Sequence, residues 1–305
     1  MSDPRDKKKL LGRIADSVIW HIPVRARALA PKWFASNHYK LYFGREIDWN
    51  NPVEWNEKIR WYQFYGDTSQ WPLLADKYRV REYLDNAGYG DTLIPLLGKW
   101  ERPEDINFDR LPNQFVLKTN NSSGSVYIVE DKRTCDRKAL VTKIQNDLND
   151  RFWLRHIEPH YRFIKPVIVA EEYVRNSDDK PGLADYKFYC FNGEPRYCDV
   201  ISQRDFATHE VKALTYSLNW EVVDGIRQEE VDKESVGVPR PATFDRMLAF
   251  CRDMSRGYPF VRIDLYEADG KMYFGEFTLT PGGLTGYPLK PEFCLEMGHL
   301  MQLPK

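Results

Sequence analysis

The sequence predicts an α+β fold, with antiparallel hairpins, helices segregated from them, and a mainly helical region at the N-terminus. Three observations carry this expectation. Strand-like runs fold back on themselves around Asn192-Gly193 and Asp269-Gly270, dipeptides that supply the positive φ a tight hairpin needs. Helical periodicity is confined to separate stretches, of which PLLADKYRVREYLDNAG from Pro72 is the clearest. Finally, 305 residues with 42% hydrophobic and 29% charged content are the mix of a soluble globular enzyme, long enough for one large domain or two ordinary ones.

Taken in order, the N-terminal MSDPRDKKKLLGRIADSVIWHIPVRARALA starts basic but has no unbroken apolar core, because Asp16 interrupts it; it does not read as a signal peptide. From Leu10 to Ala30 it is faintly amphipathic and would suit weak association with the inner membrane surface, although packing on the domain is the preferred reading. Pro31 to about Gln70 is rich in Trp, Tyr and Phe and reads as short helices and loops. From Pro72, the residues Leu73, Leu74, Tyr78, Val80, Tyr83 and Leu84 form an apolar stripe on one helix, with Pro72 in its first turn and Gly88 as its C-terminal cap. QFVLKTNNSSGSVYIVED (114–131) reads as strand, small-residue turn and strand. A helix is expected over 138–153, and a buried strand over KPVIVAEEYV (165–174), followed by the polar loop NSDDKPG. DYKFYCF and PRYCDVIS form the next hairpin, Thr243 to Arg256 a helix, and FVRIDLYEADGKMYFGEF the last hairpin. The expected organisation is an aromatic-rich region over 1–70, a smaller α+β unit over 71–174, and a larger one over 175–305.

Lys and Arg number 44 against 45 Asp and Glu, so no net field draws the protein to nucleic acid. The five cysteines show neither a CxxC pair nor framework spacing, which points to reduced thiols and a cytoplasmic setting. Nowhere do eighteen apolar residues run together.

Three segments carry chemistry. On the first strand of the last hairpin, Arg262, Asp264 and Tyr266 share a face by the period of two; on the second, Glu276 and Thr278 do. A three-residue connection would place Asp264 and Glu276 on one face, and a two-residue connection on opposite faces. Facing carboxylates repel unless a cation lies between them, and an oxygen-ligand ion such as Mg²⁺ is the simplest; separate salt bridges on an exposed face are the other reading. Lys118, ending the strand FVLK before NNSSGS, is placed to hold phosphate together with backbone N–H groups, although a surface hairpin would look alike. AEEYV (170–174) could present a free strand edge to an adenine, or to solvent. HIEPH offers His156, Glu158 and His160, but Pro159 disrupts helical i,i+4 spacing and no third ligand is apparent, so zinc is not expected.

In order, ADK (75–77), VLK with SSGS (116–125), VAEEYV (169–174), DYK (185–187), RID (262–264) and GEFTLTPGG (275–283) resemble the ATP-grasp superfamily, in a layout similar to D-alanine:D-alanine ligase. NPVEWNEKIRW, ADKYRVREYL, FVLKTNNSSGS and YFGEFTLTPGG are similar to the TupA-like ATP-grasp family, associated with teichuronopeptide and other surface polysaccharides. The resemblance spans about Asn51 to Gly283. It implies that Lys77 and Lys118 hold ATP phosphates under a turn of Ser122, Ser123, Gly124 and Ser125. It implies further that Glu171, Glu172, Tyr173 and Val174 form the strand whose backbone reads adenine. Asp185 would accept from ribose hydroxyls and Lys187 reach phosphate, while Asp264 and Glu276 bind Mg²⁺ and Arg262 steadies an oxyanion. Thr278 stands where many superfamily members carry Asn as a further metal ligand, leaving the number of metal ions open. The implied activity is ATP-dependent joining of a carboxylate, such as a sugar acid, to an amine through an acyl phosphate. A sugar kinase and a glycosyltransferase are the alternatives, and the sequence is silent on oligomeric state.

Overall fold

The computed structural model describes residues 28–176, 183–204, 211–224, 226, 236–284 and 289–304. The basic N-terminal segment up to residue 27 and residues 177–182 of the polar loop lie outside them. The described chain is α+β as expected, with two antiparallel sheets and helices set apart from them.

The N-terminal aromatic region is more regular than its sequence implied. Helix α1 (Pro31–Phe43) opens on Pro31 and closes on Gly44, whose φ of 73° lets its N–H reach the Lys40 carbonyl. Helix α2 (Trp55–Tyr65) begins with a reciprocal capping box between Glu54 and Glu57, which satisfies N-terminal N–H groups that would otherwise lack partners. NPVEWNEK is therefore a helix start. The stretch from Pro72 forms two helices instead of the expected one, α3 (Trp71–Ala75) and α4 (Val80–Asn86). Asp76 is the cause. It adopts an extended ψ of 104°, and its Oδ1 accepts from the N–H groups of Tyr78 and Arg79, a local alternative to helical bonding that Asp offers readily.

Strands β1 (Leu96–Trp100), β2 (Phe115–Thr119), β3 (Val126–Val129) and β4 (Ile168–Glu172) form a sheet in the order β1-β4-β2-β3. Helix α5 (Arg137–Asn149), capped by Asp136, covers it through Leu140, Ile144 and Leu148, which pack on Phe115, Leu117, Ile168 and Ala170. The helix stops short of the expected 153; a separate turn, α6 (Phe152–Arg155), follows. Because β4 pairs with β1 on one side and β2 on the other, AEEYV is not the free edge its sequence allowed. The unpaired backbone begins at Tyr173.

The second sheet comprises β5 (Asp185–Phe191), β6 (Glu194–Arg204), β7 (Val211–Ser217), β8 (Phe260–Ala268) and β9 (Lys271–Thr278), ordered β7-β6-β5-β8-β9, so that the chain crosses from one edge to place the β8–β9 hairpin on the other side of β5. Its hairpins turn at Asn192-Gly193 and Asp269-Gly270, all four residues at positive φ. Helix α7 (Phe244–Ser255) buries Phe244, Met247, Phe250, Cys251 and Met254 against it. The core under this sheet also takes in Trp55, Trp71, Leu74 and Leu84 from the N-terminal helices, and Phe293 and Met297 from α8 (Pro291–Leu300). Cys190, Cys198, Cys251 and Cys294 are buried thiols, as expected of small apolar residues, and Cys135 is half-buried.

Candidate active site

The last hairpin brings its two carboxylates together by a route the sequence did not reveal. Its connection has two residues, Ala268 pairing with Lys271, and that register alone would put Asp264 and Glu276 on opposite faces. Pairing nevertheless passes from Leu265–Phe274 to Asp264–Glu276, because Gly275 is skipped as a β-bulge. The extra residue restores parity. A Cβ on Gly275 would sit 2.8 Å from the Tyr266 ring and 2.9 Å from the Asp264 carbonyl, so the bulge closes only over a glycine.

Around this bulge, opposite charges interlock on one face of the sheet. Arg262 grips Asp264 with both arms of its fork, at 2.7 and 2.6 Å, and donates to the Thr278 hydroxyl at 2.9 Å. Thr278 in turn donates to Glu276 at 3.1 Å, and Glu276 lies 3.5 Å from Arg262. From β5, Lys187 reaches Asp264 at 2.5 Å and Asp185 at 2.6 Å. Burial alone would push the Asp264 carboxyl up; Arg262 and Lys187 overcome it and hold Asp264 below the ordinary carboxylate range. Burial likewise opposes the charge on Lys187, yet Asp264 and Asp185 keep its pKa above the usual lysine value. Burial wins at Asp185, whose carboxyl is raised. Asp185 is thus engaged deep in the sheet, with Lys187 as its cation.

Further cations come from β2 and from the α3–α4 segment. Lys118 on β2 pairs with Glu171 on β4 at 2.6 Å, and Arg81 on α4 meets the other oxygen of Glu171 at 3.0 Å. The Asp76 turn delivers Lys77, whose Nζ donates to the Ser122 carbonyl at 2.5 Å. Burial lowers the Lys77 pKa; Glu276 opposes that shift and Lys118 adds to it. Lys77, on the turn between α3 and α4, therefore senses an acid of the second sheet. The turn after β2 is tied down by Ser122–Ser125 and Thr119–Ser122 hydroxyl contacts at 2.7 and 3.2 Å, with Gly124 at φ 84°. Asn120 spans the junction, donating to Asp76 at 2.9 Å and accepting from the Val167 N–H at 2.7 Å.

A cleft of 370 Å³ runs from Ser123 past Arg262, Glu276 and Thr278 to Glu158 and His160. Asp264 and Glu276 are oxygen donors of the kind a hard divalent cation takes. Two carboxylates cannot enclose Mg²⁺, and among the described residues no group of three or more His, Cys, Asp or Glu could hold a metal alone. Mg²⁺ bound through one or two carboxylates with phosphate oxygens and water is the usual arrangement. The donor set therefore fits a cation arriving with a nucleotide. Thr278 is already engaged by Arg262 and Glu276.

Of the residues expected from sequence, Lys187, Asp264, Glu276, Thr278 and Arg262 form one cluster, Lys77 lies within electrostatic reach of Glu276, and Lys118 and Glu171 pair with each other. Glu172 ends β4, and Tyr173 and Val174 follow it without strand pairing. Arg81, Asn120 and Gly275 were missed, and Glu158 was weighed only as a zinc ligand and set aside. Arg81 stood outside the apolar stripe and so drew no notice. The only available signal for Gly275 was a glycine one residue before an acid in a strand, where glycine often marks a bulge.

Two antiparallel sheets are thus present, with Arg262, Glu276 and Thr278 of the second and Ser123 from the turn after β2 of the first lining one cleft. The chain belongs to the TupA-like ATP-grasp family, whose model matches residues 57–302, and with it to the ATP-grasp ligase superfamily. Similar solved structures include the D-alanine–D-alanine ligase of Bacillus anthracis, at 18% identity over 69% of this chain and 58% of that one, TM-score 0.38. The Helicobacter pylori D-alanine–D-alanine ligase matches at 15% over 83% and 68%, TM-score 0.42. The ATP-grasp ligase PsnB, in complex with its minimal precursor, Mg and ADP, matches at 12% over 91% and 73%, TM-score 0.38. The chain thus spans little more than half the length of the Bacillus anthracis enzyme. No curated protein matches it significantly. Among the described residues no helix is long and apolar enough to cross a membrane.

Proposed function

We propose that this protein is an ATP-dependent carboxylate-amine ligase that amidates a sugar acid, such as a uronic acid, with an amino acid or simple amine in surface polysaccharide synthesis. The observation that supports it most is the cleft, which continues beyond Arg262, Glu276 and Thr278 to Glu158 and His160 and leaves room for an acceptor beside Arg262. Lys77 and Lys118 exchange their present partners, a backbone carbonyl and Glu171, for phosphate oxygens. Asp264 and Glu276 would hold Mg²⁺, which when bound supplies charge neutralisation at the transferring phosphoryl group. Arg262, fixed by its fork on Asp264, faces the oxyanion that forms when an amine attacks the acyl phosphate, and its position requires no reorganisation at that moment. Positioning and electrostatics carry the reaction, so no nucleophilic Ser, Cys or His is needed.

Incubation with Mg-ATP, a panel of uronic acids and a panel of amino acids, followed by mass spectrometry, tests the reading. Amine-dependent ADP release with an amide product is expected. Phosphorylated sugar formed without any amine would replace the ligase with a kinase.

A further inference from the structure

The far wall of the cleft is built from HIEPH, the motif that zinc chemistry could not explain. Glu158 and His160 both line the cleft, at 6% and 5% exposure. Glu158 accepts a hydrogen bond from the Thr280 hydroxyl at 2.5 Å through Oε2. Among the described residues no hydrogen bond reaches its Oε1 and no Lys or Arg ion-pairs with it. His160 stands 4.0 Å from the same carboxylate, too far for a hydrogen bond, and its Nδ1 has no partner. Buried polar atoms are ordinarily satisfied. Glu158 therefore offers the cleft a carboxylate oxygen with no hydrogen-bond donor among the described residues, on the wall that ends opposite Arg262.

The backbone that presents Glu158 is held in place against its own preference. Ile157, immediately before it, has φ 58°, a genuine outlier for a β-branched residue that costs about 1–3 kcal/mol. Its carbonyl is clamped by Gln63 at 2.6 Å and by the buried Arg60 at 2.9 Å, and the second arm of Arg60 holds the Gly283 carbonyl at 2.8 Å. Arg60 on α2 thereby fixes the corner that carries Glu158 relative to the PGG turn after β9. Strain maintained by dedicated buried partners is a mark of functional sites.

We propose that the Glu158 carboxylate is the base that removes a proton from the incoming amine, an assignment that rests on the ligase reading above. The nucleophile enters as an ammonium. Glu158 takes one proton, and the neutral nitrogen forms the C–N bond to the acyl carbon as the C–O bond to phosphate breaks. The second proton leaves with the departing phosphate, and Glu158 returns its own to solvent after product release. Burial raises the Glu158 carboxyl to about 7, against the Thr280 hydrogen bond and the Arg60 charge, with Glu276 adding to the rise. Burial also drives His160 down to about 3, so the ring beside Glu158 is neutral and does not suppress its basicity. Arg155, His156 and Tyr161 complete the surroundings of the cleft. A base titrating near working pH is suited to proton removal.

The test is Glu158→Gln, which keeps an acceptor for Thr280. Wild type and variant are given Mg-ATP and D-glucuronate or D-galacturonate at pH 7, with either a mixture of the common amino acids or hydroxylamine. Hydroxylamine is mostly uncharged at that pH and needs no base, whereas amino acids arrive protonated. Amide formation with amino acids should fall about 10²–10⁴-fold while hydroxamate forms near the wild-type rate. An undiminished amino acid reaction overturns the proposal, and so does an equal loss with both nucleophiles, which would mark Glu158 as structural. Failure of the wild type to form hydroxamate overturns the ligase reading itself, and the role of Glu158 falls with it.

Discussion

Arg262 combines a structural task with a chemical one, and substitution exposes both. Asp264 is 1% exposed and would keep Lys187 as its ion partner in Arg262→Ala. The charge thus stays compensated and what is lost is the bidentate hydrogen bonding of the fork, so urea denaturation should show a loss of about 1.5–3 kcal/mol. Arg262→Lys, which retains the charge without the fork, should recover part of the stability while amide formation stays depressed. Lys118→Ala should behave differently. Glu171 would still be paired with Arg81, so the melting transition should stay close to wild type while ATP turnover is abolished; wild-type turnover would remove Lys118 from the phosphate site. Much at this scale was legible in the sequence. The period of two placed Arg262 with Asp264 and Glu276 with Thr278 on common faces, and a lysine ending an apolar strand before a small-residue turn stood out by itself. Glu158 was not legible. Its environment is made by Thr280, 122 positions away, and by the reversed backbone at Ile157, which Arg60 holds from 97 positions away, contacts that no local pattern encodes.

Helices and strands show the same division between local and distant causes. The hairpins at Asn192-Gly193 and Asp269-Gly270 could be read directly, because turn chemistry is local. The bulge at Gly275 could not, since it depends on how β9 must slip to bring Glu276 opposite Asp264. Gly275→Ala tests that dependence. Its methyl group would collide with the Tyr266 ring and the Asp264 carbonyl, and because backbone cannot yield cheaply, overpacking of about 1–3 kcal/mol is expected. ATP turnover should fall far more than stability, since a slipped register moves Glu276 away from Asp264; unchanged turnover would show that the bulge does not set the site. The split between α3 and α4 was hidden for a related reason. The apolar stripe from Leu73 to Leu84 counts as continuous, and only the fold shows that Asp76 interrupts it to organise the turn before α4 and meet Asn120. Asp76→Ala removes two acceptor bonds to the N–H groups of the turn before α4 and leaves the buried Asn120 amide with only the Lys165 carbonyl. A loss of about 2 kcal/mol in denaturant unfolding is expected, together with weaker nucleotide affinity as the turn that carries Lys77 loosens.

For the molecule as a whole, the cleft wall sets a relation between stability and pH that neither residue would give alone. Glu158 binds its proton more tightly folded than unfolded, with a pKa of about 7 against an ordinary 4.5. From pH 4.5 to 7 the native state therefore carries the extra proton, and stability falls as pH rises. His160 does the reverse. Its folded value of about 3 lies below the ordinary 6.5, the unfolded state carries the extra proton between those values, and stability rises with pH there. Between pH 4.5 and 6.5 the two slopes oppose each other and nearly cancel. Single substitutions should uncover each one. Glu158→Gln leaves the His160 slope, so relative to wild type its unfolding free energy should climb with pH through 6.5, gaining on the order of 3 kcal/mol by pH 7. His160→Gln leaves the Glu158 slope, and its unfolding free energy should decline relative to wild type over pH 4.5 to 6.5. All other ionisable groups contribute alike to each comparison, so the differences isolate this pair. Urea denaturation at half-unit pH steps measures them, and parallel curves for all three proteins would mean that neither group titrates abnormally. The same curves bear on catalysis. A carboxylate that destabilises the fold at neutral pH, and whose amide analogue would strengthen it, is retained at a cost that proton transfer in the cleft would explain.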